Sequence, residues 1–129
     1  MRLDEAPLMF SRLGGAMPIA IAAVSPAEWS ATAQAIALAG HRLVALWGSD
    51  RRDLDDAFAV YAAYALADGL ACVRLLLSGD SPSYPDLSMH FPAANRMQRA
   101  AFDMVGVRAT ADHFRRRWQL VAPHLGGTP

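Results

Sequence analysis

The sequence contains a single cysteine, Cys72, and only four histidines. One thiol cannot form an internal disulfide bond, and it cannot supply the set of thiolates that an iron–sulfur cluster or a nickel–iron centre requires. Cys72 stands in an apolar run, which predicts a buried and unreactive thiol. His41, His90, His113 and His124 lack the spacing of a zinc site. We therefore expect no cofactor and no bound metal.

An excess of positive charge is also missing. The 12 basic residues, all arginine, are balanced by 12 acidic residues. A protein that binds nucleic acid without sequence preference needs surplus positive charge to displace counterions from phosphates, so we expect no nucleic-acid partner.

Long apolar runs are absent as well. No stretch approaches the ~20 apolar residues of a membrane-spanning helix, so we expect no direct insertion into a membrane. Residues 16–24 could pass for the apolar part of a signal peptide, but Asp4 and Glu5 precede them and a well-capped helix start follows. We expect a cytoplasmic protein, peripheral to the inner membrane only through its partners.

The size of the chain predicts one domain. Its 129 residues suffice for one compact core and are too few for two of ordinary size. Alanine supplies much of the 53% hydrophobic content, so the core should be thin and partly completed by a partner. We expect a flexible N-terminal arm over residues 1–15, the domain over residues 16–120 and a frayed tail over residues 121–129.

The clearest local signal is the start of the first helix. Residues 18–24 form an apolar run typical of a buried strand. Ser25 and Glu28 then have the spacing of a capping box, with a proline between them at the first helical position. The helix should cover residues 26–39 and end at Gly40. Its buried positions should be Trp29, Ala33 and Ile36.

A strand-rich segment follows. Residues 43–47 predict a strand, and residues 48–53 predict a break followed by a solvated, charged loop. Residues 56–66 suit a helix by their alanines and a strand by the alternation of their larger side chains. The turn signal at residues 67–69 and the β pattern of residues 70–77 favour a strand, turn and strand.

The last predicted elements are a loop and a second helix. Residues 78–85 are rich in serine, proline and glycine, as in loops, and a short extended piece should reach Phe91. A helix should then run over residues 92–105 and end at Gly106. Its apolar stripe should comprise Ala94, Met97, Ala101, Met104 and Val105, with Asn95, Arg96, Arg99 and Asp103 away from it.

No complete catalytic constellation is present in the sequence. It has no Gly-rich phosphate loop, nucleophile elbow or paired-cysteine motif. The run Arg115–Arg117 could clamp an anionic ligand through its guanidinium groups, or it is simply a solvated charged surface. Trp47 and Trp118 could anchor an interface, although packing in or beside the core is the commoner role.

One longer stretch resembles a known family. Residues 84–107 read YPDLSMHFPAANRMQRAAFDMVGV. They resemble the signature YPSLTxxFPAANWYERExxDMFGI of the thirty-kilodalton subunit family of respiratory NADH dehydrogenase, which is also the N-terminal domain of hydrogenase-4 and formate hydrogenlyase large subunits. Residues 40–48 also resemble the GxRLVxLxG opening of the hydrogenase-type members. The matching positions of the signature are Tyr84, Pro85, Leu87, Phe91, Pro92, Ala93, Ala94, Asn95, Arg99, Asp103, Met104 and Gly106.

The resemblance implies both a fold and a role. The fold would be α+β, a single two-layer domain whose mixed or antiparallel β-sheet carries its helices on one face. The role would be that of a subunit without a redox centre, docked on the large subunit of an electron-transfer complex. Arg99 and Asp103 would be preserved polar residues, forming an i,i+4 pair worth ~0.3 kcal/mol if exposed. The candidate interface comprises Arg96, Arg99, Asp103, Arg115, Arg116 and Trp118.

Several positions depart from the signature. Its WYERE is here RMQRA, at residues 96–100, so that two acidic residues and two aromatic residues expected at the interface are lost. Val105 replaces a phenylalanine, and a later HPDLRR motif survives only in residues 113–116. The chain thus looks like a divergent member, fitted to a different partner or partly released from the family's task. The alternatives are an independent enzyme or binding domain for an anionic small molecule, with Arg115–Arg117 and a histidine as its site, and a self-associating domain without a redox partner.

Overall fold

The computed structural model describes residues 1–8, 10–13 and 19–110. Five strands form one sheet in the order β1-β2-β5-β4-β3, in which β2 and β5 are parallel and the other neighbours antiparallel. Strands β6 and β7 form a separate parallel pair. The elements are a 3-10 helix (Leu3–Glu5), β1 (Ser11–Leu13), β2 (Ile19–Ala23), α1 (Pro26–Leu38), β3 (Arg42–Arg51), α2 (Arg52–Asp55), β4 (Ala57–Leu66), β5 (Gly69–Leu77), β6 (Ser83–Pro85), α3 (Ala94–Val105) and β7 (Arg108–Thr110).

Helix α1 begins and ends as predicted. The Ser25 hydroxyl accepts a hydrogen bond from the backbone N–H of Glu28 at 3.2 Å, and the Glu28 carboxylate accepts one from the Ser25 N–H at 2.9 Å. At the other end Gly40 has φ +82°, and the N–H of His41 bonds to the carbonyl of Ile36. This is the left-handed helix end for which glycine is suited, so the capping signals are confirmed.

The predicted hairpin is also confirmed. Strands β4 and β5 pair from Phe58 with Leu77 to Leu66 with Gly69, which leaves a two-residue turn at Ala67 and Asp68. Successive side chains of a strand point to opposite faces. On one face of β4 and β5 the larger side chains are buried in the core, and the other face of β4 carries mainly alanine.

Strand β3 is longer than predicted. The break expected at residues 48–53 is wrong, because β3 continues to Arg51 and pairs with β4 as far as Ala57. Its glycine has a packing role: a Cβ added to Gly48 would lie 2.6 Å from Cγ2 of Val105 and 2.7 Å from Cγ2 of Val107. Glycine within a strand often marks such a close approach rather than the end of the strand.

Helix α3 differs from its prediction in two respects. It begins at Ala94, two residues late, because Phe91 and Pro92 first form turns whose carbonyls accept from the N–H groups of Ala94 and Asn95. Its buried stripe also differs, since Met104 is 84% exposed and Gln98 is only 6% exposed.

The core lies between the helices and one face of the sheet. Trp29 and Ile36 from α1 and Ala101 from α3 belong to one buried cluster with Val60 and Val73 of the sheet. The expected α+β fold, with a mixed sheet and helices on one face, is confirmed.

The N-terminal segment, expected to be an arm, makes several contacts. Leu3 is buried, and its N–H donates to the Asp68 carboxylate at 2.8 Å. Strand β1 pairs with β2 at the edge of the sheet. The predicted tail over residues 121–129 lies outside the described residues.

Candidate docking surface

Residues 84–107, called the signature segment below, contact α1 through their first residues. Tyr84 is 2% exposed, and its ring meets the Trp29 ring edge to face at 5.7 Å between centroids. The Trp29 indole N–H donates to the carbonyl of Pro85 at 3.0 Å. Burial raises the pKa of Tyr84, assisted by the negative charge of Asp86. The segment is thereby joined to α1, which lies far from it in sequence.

A polar cluster joins the segment to α3. The side-chain amide of Gln98 donates to Asp86 Oδ1 at 2.7 Å, and its oxygen accepts from the Leu87 N–H at 2.9 Å. The N–H and hydroxyl of Ser88 also donate to the Asp86 carboxylate. Burial alone would raise the pKa of Asp86, but these hydrogen bonds and the nearby His90 outweigh it and lower the pKa.

This cluster explains two departures from the signature, because the two substituted residues bond to each other. Asp86 stands where the signature has serine, and Gln98 stands where it has glutamate. Here the carboxylate lies on the loop and the donor on the helix, whereas a serine and a glutamate would place the donor on the loop and the carboxylate on the helix. Gln98 is an internal residue in this chain, so its departure does not change the exposed surface.

The two stretches that carry the resemblance meet in space. Gly48 closes the upstream stretch, and its missing side chain leaves room for Val105 and Val107 at the end of the downstream stretch. Gly106 lies between these valines with φ +82° and ends α3, as predicted. Much of the signature is therefore buried and builds the fold.

The exposed part of α3 contains half of the candidate interface. Arg96, Arg99 and Asp103 are all exposed, and their spacing of three and four residues places them on one side of the helix. Among the contacts of the described residues there is no ion pair between Arg99 and Asp103, so that expected pair does not form. The other candidates, Arg115, Arg116 and Trp118, lie outside the described residues.

Several large apolar residues on α3 and in the loop before it are also exposed. Phe102 is 40% exposed, and the guanidinium of Arg108 lies over its ring, 4.5 Å from the centroid. Met89 and Met104 are 71% and 84% exposed. The regular spacing of a helix places Phe102 outside the predicted apolar stripe, so the exposure of Phe102 could have been found from the sequence. Met104 was predicted within that stripe, and this prediction is wrong.

A surface depression lies beside the first turn of α3. It is lined by Pro92, Ala93, Asn95, Arg96 and Met97. Within the described part of the chain, no three His, Cys, Asp or Glu side chains are grouped so that they could hold a metal ion. The same residues include no helix with the length and apolar character needed to cross a membrane. The alternative anionic site at Arg115–Arg117 lies outside the described residues.

One family model and two known proteins are similar to this chain. The family model described as respiratory-chain NADH dehydrogenase, 30 Kd subunit, matches residues 22–129. Formate hydrogenlyase subunit 5 of Escherichia coli (strain K12) is 34% identical over 71 residues, which are 53% of this chain and 12% of that protein. The solved structure of an Nqo5 trypsin-resistant fragment has a TM-score of 0.64 at 17% identity, covering 79% of this chain and 86% of that chain, and supports the fold.

Proposed function

Because the chain belongs to the family of the 30 Kd subunit of respiratory-chain NADH dehydrogenase, we propose that it is a non-catalytic accessory subunit of an electron-transfer complex. It would dock on the large subunit of a membrane-associated complex of the NADH dehydrogenase or nickel–iron hydrogenase type. Such a role places the protein in the cytoplasm, at the membrane only through its partners.

The family match over residues 22–129 is the observation that carries this proposal. The match to formate hydrogenlyase subunit 5 adds a second support, since the chain corresponds to only 12% of that protein. A domain that is so small a part of a larger protein is suited to packing against the remainder. The proposed partner is therefore a polypeptide equivalent to that remainder.

The use of polar groups in the signature segment also supports a structural role. Asp86, Ser88 and Gln98 are bonded to each other rather than directed together at an open cavity. The exposed residues of α3 include two arginines and the large apolar side chains of Phe102 and Met104, and arginine, methionine and aromatic residues are enriched at protein interfaces. Arginine in particular is common among residues that dominate binding.

The test is affinity purification of the tagged full chain from its native host at low ionic strength. The expected result is a stoichiometric oxidoreductase large subunit, identified by mass spectrometry and by its iron and nickel content. Recovery of the chain without any oxidoreductase subunit, or as a complex with itself alone, would contradict the proposal.

A pair of variants tests whether α3 contributes to docking. Arg96→Glu and Arg99→Glu reverse charges on the exposed side of α3, and Arg2→Glu, at an exposed arginine of the N-terminal segment, is the matched control. If this side of α3 is part of the interface, the first two should lower the recovered large subunit at least ~10-fold while the control changes it little.

A further inference from the structure

The sheet has a second face, formed by the alternate residues of its strands that point away from the core. Described residues on this outer face include Ile21, Trp47, Tyr61, Cys72 and Leu76. Small alanines of β4 lie between the larger side chains of β3 and β5. The buried residues of α1 and α3 belong to the core cluster on the opposite face, so neither of these helices covers the outer face.

The outer face is apolar and partly open. Trp47 is 43% exposed and stacks on Tyr61, with 5.1 Å between ring centroids and 7° between ring planes. Leu76 is 46% exposed, and Cys72 is partly buried. Large apolar residues in adjacent strands of a sheet typically mark a surface that another element or protein covers.

One charge lies in the middle of this face. Arg74 belongs to β5, the central strand, and stands between Tyr61 of β4 and Ala23 of β2. Its Nε is buried, and no acceptor among the described residues bonds to it. The other arginines of the face lie at the two ends of edge strand β3, and one of these, Arg51, is paired with Asp55. A desolvated guanidinium N–H without an acceptor is unfavourable, and a carboxylate is the acceptor it binds best.

We propose that the outer face of the sheet docks the large subunit, through an apolar surface on that subunit that presents one carboxylate to Arg74. The proposal rests on the function proposed above and names the surface and its charge. A second copy of the chain fits poorly, because a two-fold dimer centred on this face would bring two Arg74 guanidinium groups together.

The experiment compares Arg74→Gln with Arg2→Gln, a change at an exposed arginine of the N-terminal segment, in the tagged full chain, using the large subunit that co-purifies with the wild type as the probe. Two quantities are measured: the affinity for that subunit and the thermal midpoint of the free chain. Arg74→Gln should weaken binding at least ~30-fold, as expected when one partner of a buried charge pair is removed. Its thermal midpoint should be unchanged or higher, because a buried N–H without an acceptor is removed. Arg2→Gln should alter binding less than ~3-fold.

A second variant tests the apolar part of the face. Leu76→Asp replaces a half-exposed leucine and should also weaken binding, with Leu38→Asp, on an exposed position of α1, as its matched control. Normal binding by both Arg74→Gln and Leu76→Asp would overturn the inference and leave the proposed function standing. A parallel loss of binding and thermal stability in Arg74→Gln would mean that Arg74 is structural, and would overturn it too. Recovery of no large subunit by the wild type would overturn both proposals.

Discussion

Helices α1 and α3 pack on the same face of one sheet, but they are held in different ways. The ends of α1 are fixed by neighbours in sequence: the reciprocal bonds of Ser25 and Glu28, and the left-handed Gly40. Helix α3 has no side-chain cap at its start. It is held by Gln98, which bonds to the loop before the helix, and at its far end by the fit of two valines over Gly48. A helix can thus be specified locally or by tertiary contacts within one small domain.

The largest expected effect is at the polar anchor of α3. Gln98→Glu places a second carboxylate against Asp86 and removes the amide donor, and should lower the free energy of unfolding by about 3 kcal/mol at neutral pH. The double variant Gln98→Glu with Asp86→Ser restores the serine and glutamate of the signature and should recover most of the loss. Chemical denaturation measures both. Arg96→Glu, an exposed change on the same helix, should have little effect on the free energy of unfolding. Equal losses of stability in Gln98→Glu and Arg96→Glu would show that Gln98 is not a specific anchor of α3.

The next effect is at the contact between α3 and β3. Gly48→Ala introduces a methyl group at 2.6 Å and 2.7 Å from the side chains of Val105 and Val107, so overpacking should cost about 2 kcal/mol. Adding Val105→Ala should relieve part of this loss in a double-mutant cycle. The neighbouring Ser49→Ala, measured by the same denaturation, is the control. A stability unchanged by Gly48→Ala would show that the helix end moves freely over the strand.

A smaller effect is expected at the local cap of α1. Ser25→Ala removes the acceptor for the Glu28 N–H and should cost about 1 kcal/mol. Ser25→Asp retains an acceptor and should remain close to the wild type. Thermal unfolding distinguishes the two. Should both variants lose the same stability, the capping box would not be what starts this helix.

The smallest effect concerns pH. Folding lowers the pKa of Asp86 below its ordinary value, so its contribution to stability is present above that ordinary value and is lost as the pH falls through the lowered, folded-state pKa. Because solvent partly screens this carboxylate, Asp86→Asn should cost less than about 1 kcal/mol at neutral pH. The difference between variant and wild type, followed by thermal unfolding, should shrink in acid. A difference that does not depend on pH would assign the effect to shape rather than charge.

The parts of the fold that could be predicted from the sequence are those that depend on residues only a few positions apart. The capping box, Gly40, Gly106 and the turn between β4 and β5 each involve residues within a few positions of one another. Their physical causes, local hydrogen bonds and backbone sterics, act over the same short range. The fold class followed from these elements and from the resemblance.

The errors fall where a residue's role depends on a distant neighbour. The sequence around Gly48 predicts the end of a strand, but in the structure this glycine leaves room for the side chains of Val105 and Val107. Gln98 looks like a surface residue until Asp86 and the Leu87 N–H are found beside it. For the candidate interface, sequence reasoning placed Arg96, Arg99 and Asp103 on the exposed side of α3, but nothing local to Arg74 distinguishes it from an ordinary strand arginine.

The sequence by itself determined where α1 starts and stops, which segments form the central hairpin, and which family the chain resembles, because each depends on residues close together or on a continuous motif. Only the tertiary structure decided how far β3 extends, which polar group of α3 is internal, and which buried arginine N–H of the outer face has no acceptor among the described residues. Those outcomes depend on packing and desolvation, and both are set by residues that become neighbours only when the chain folds.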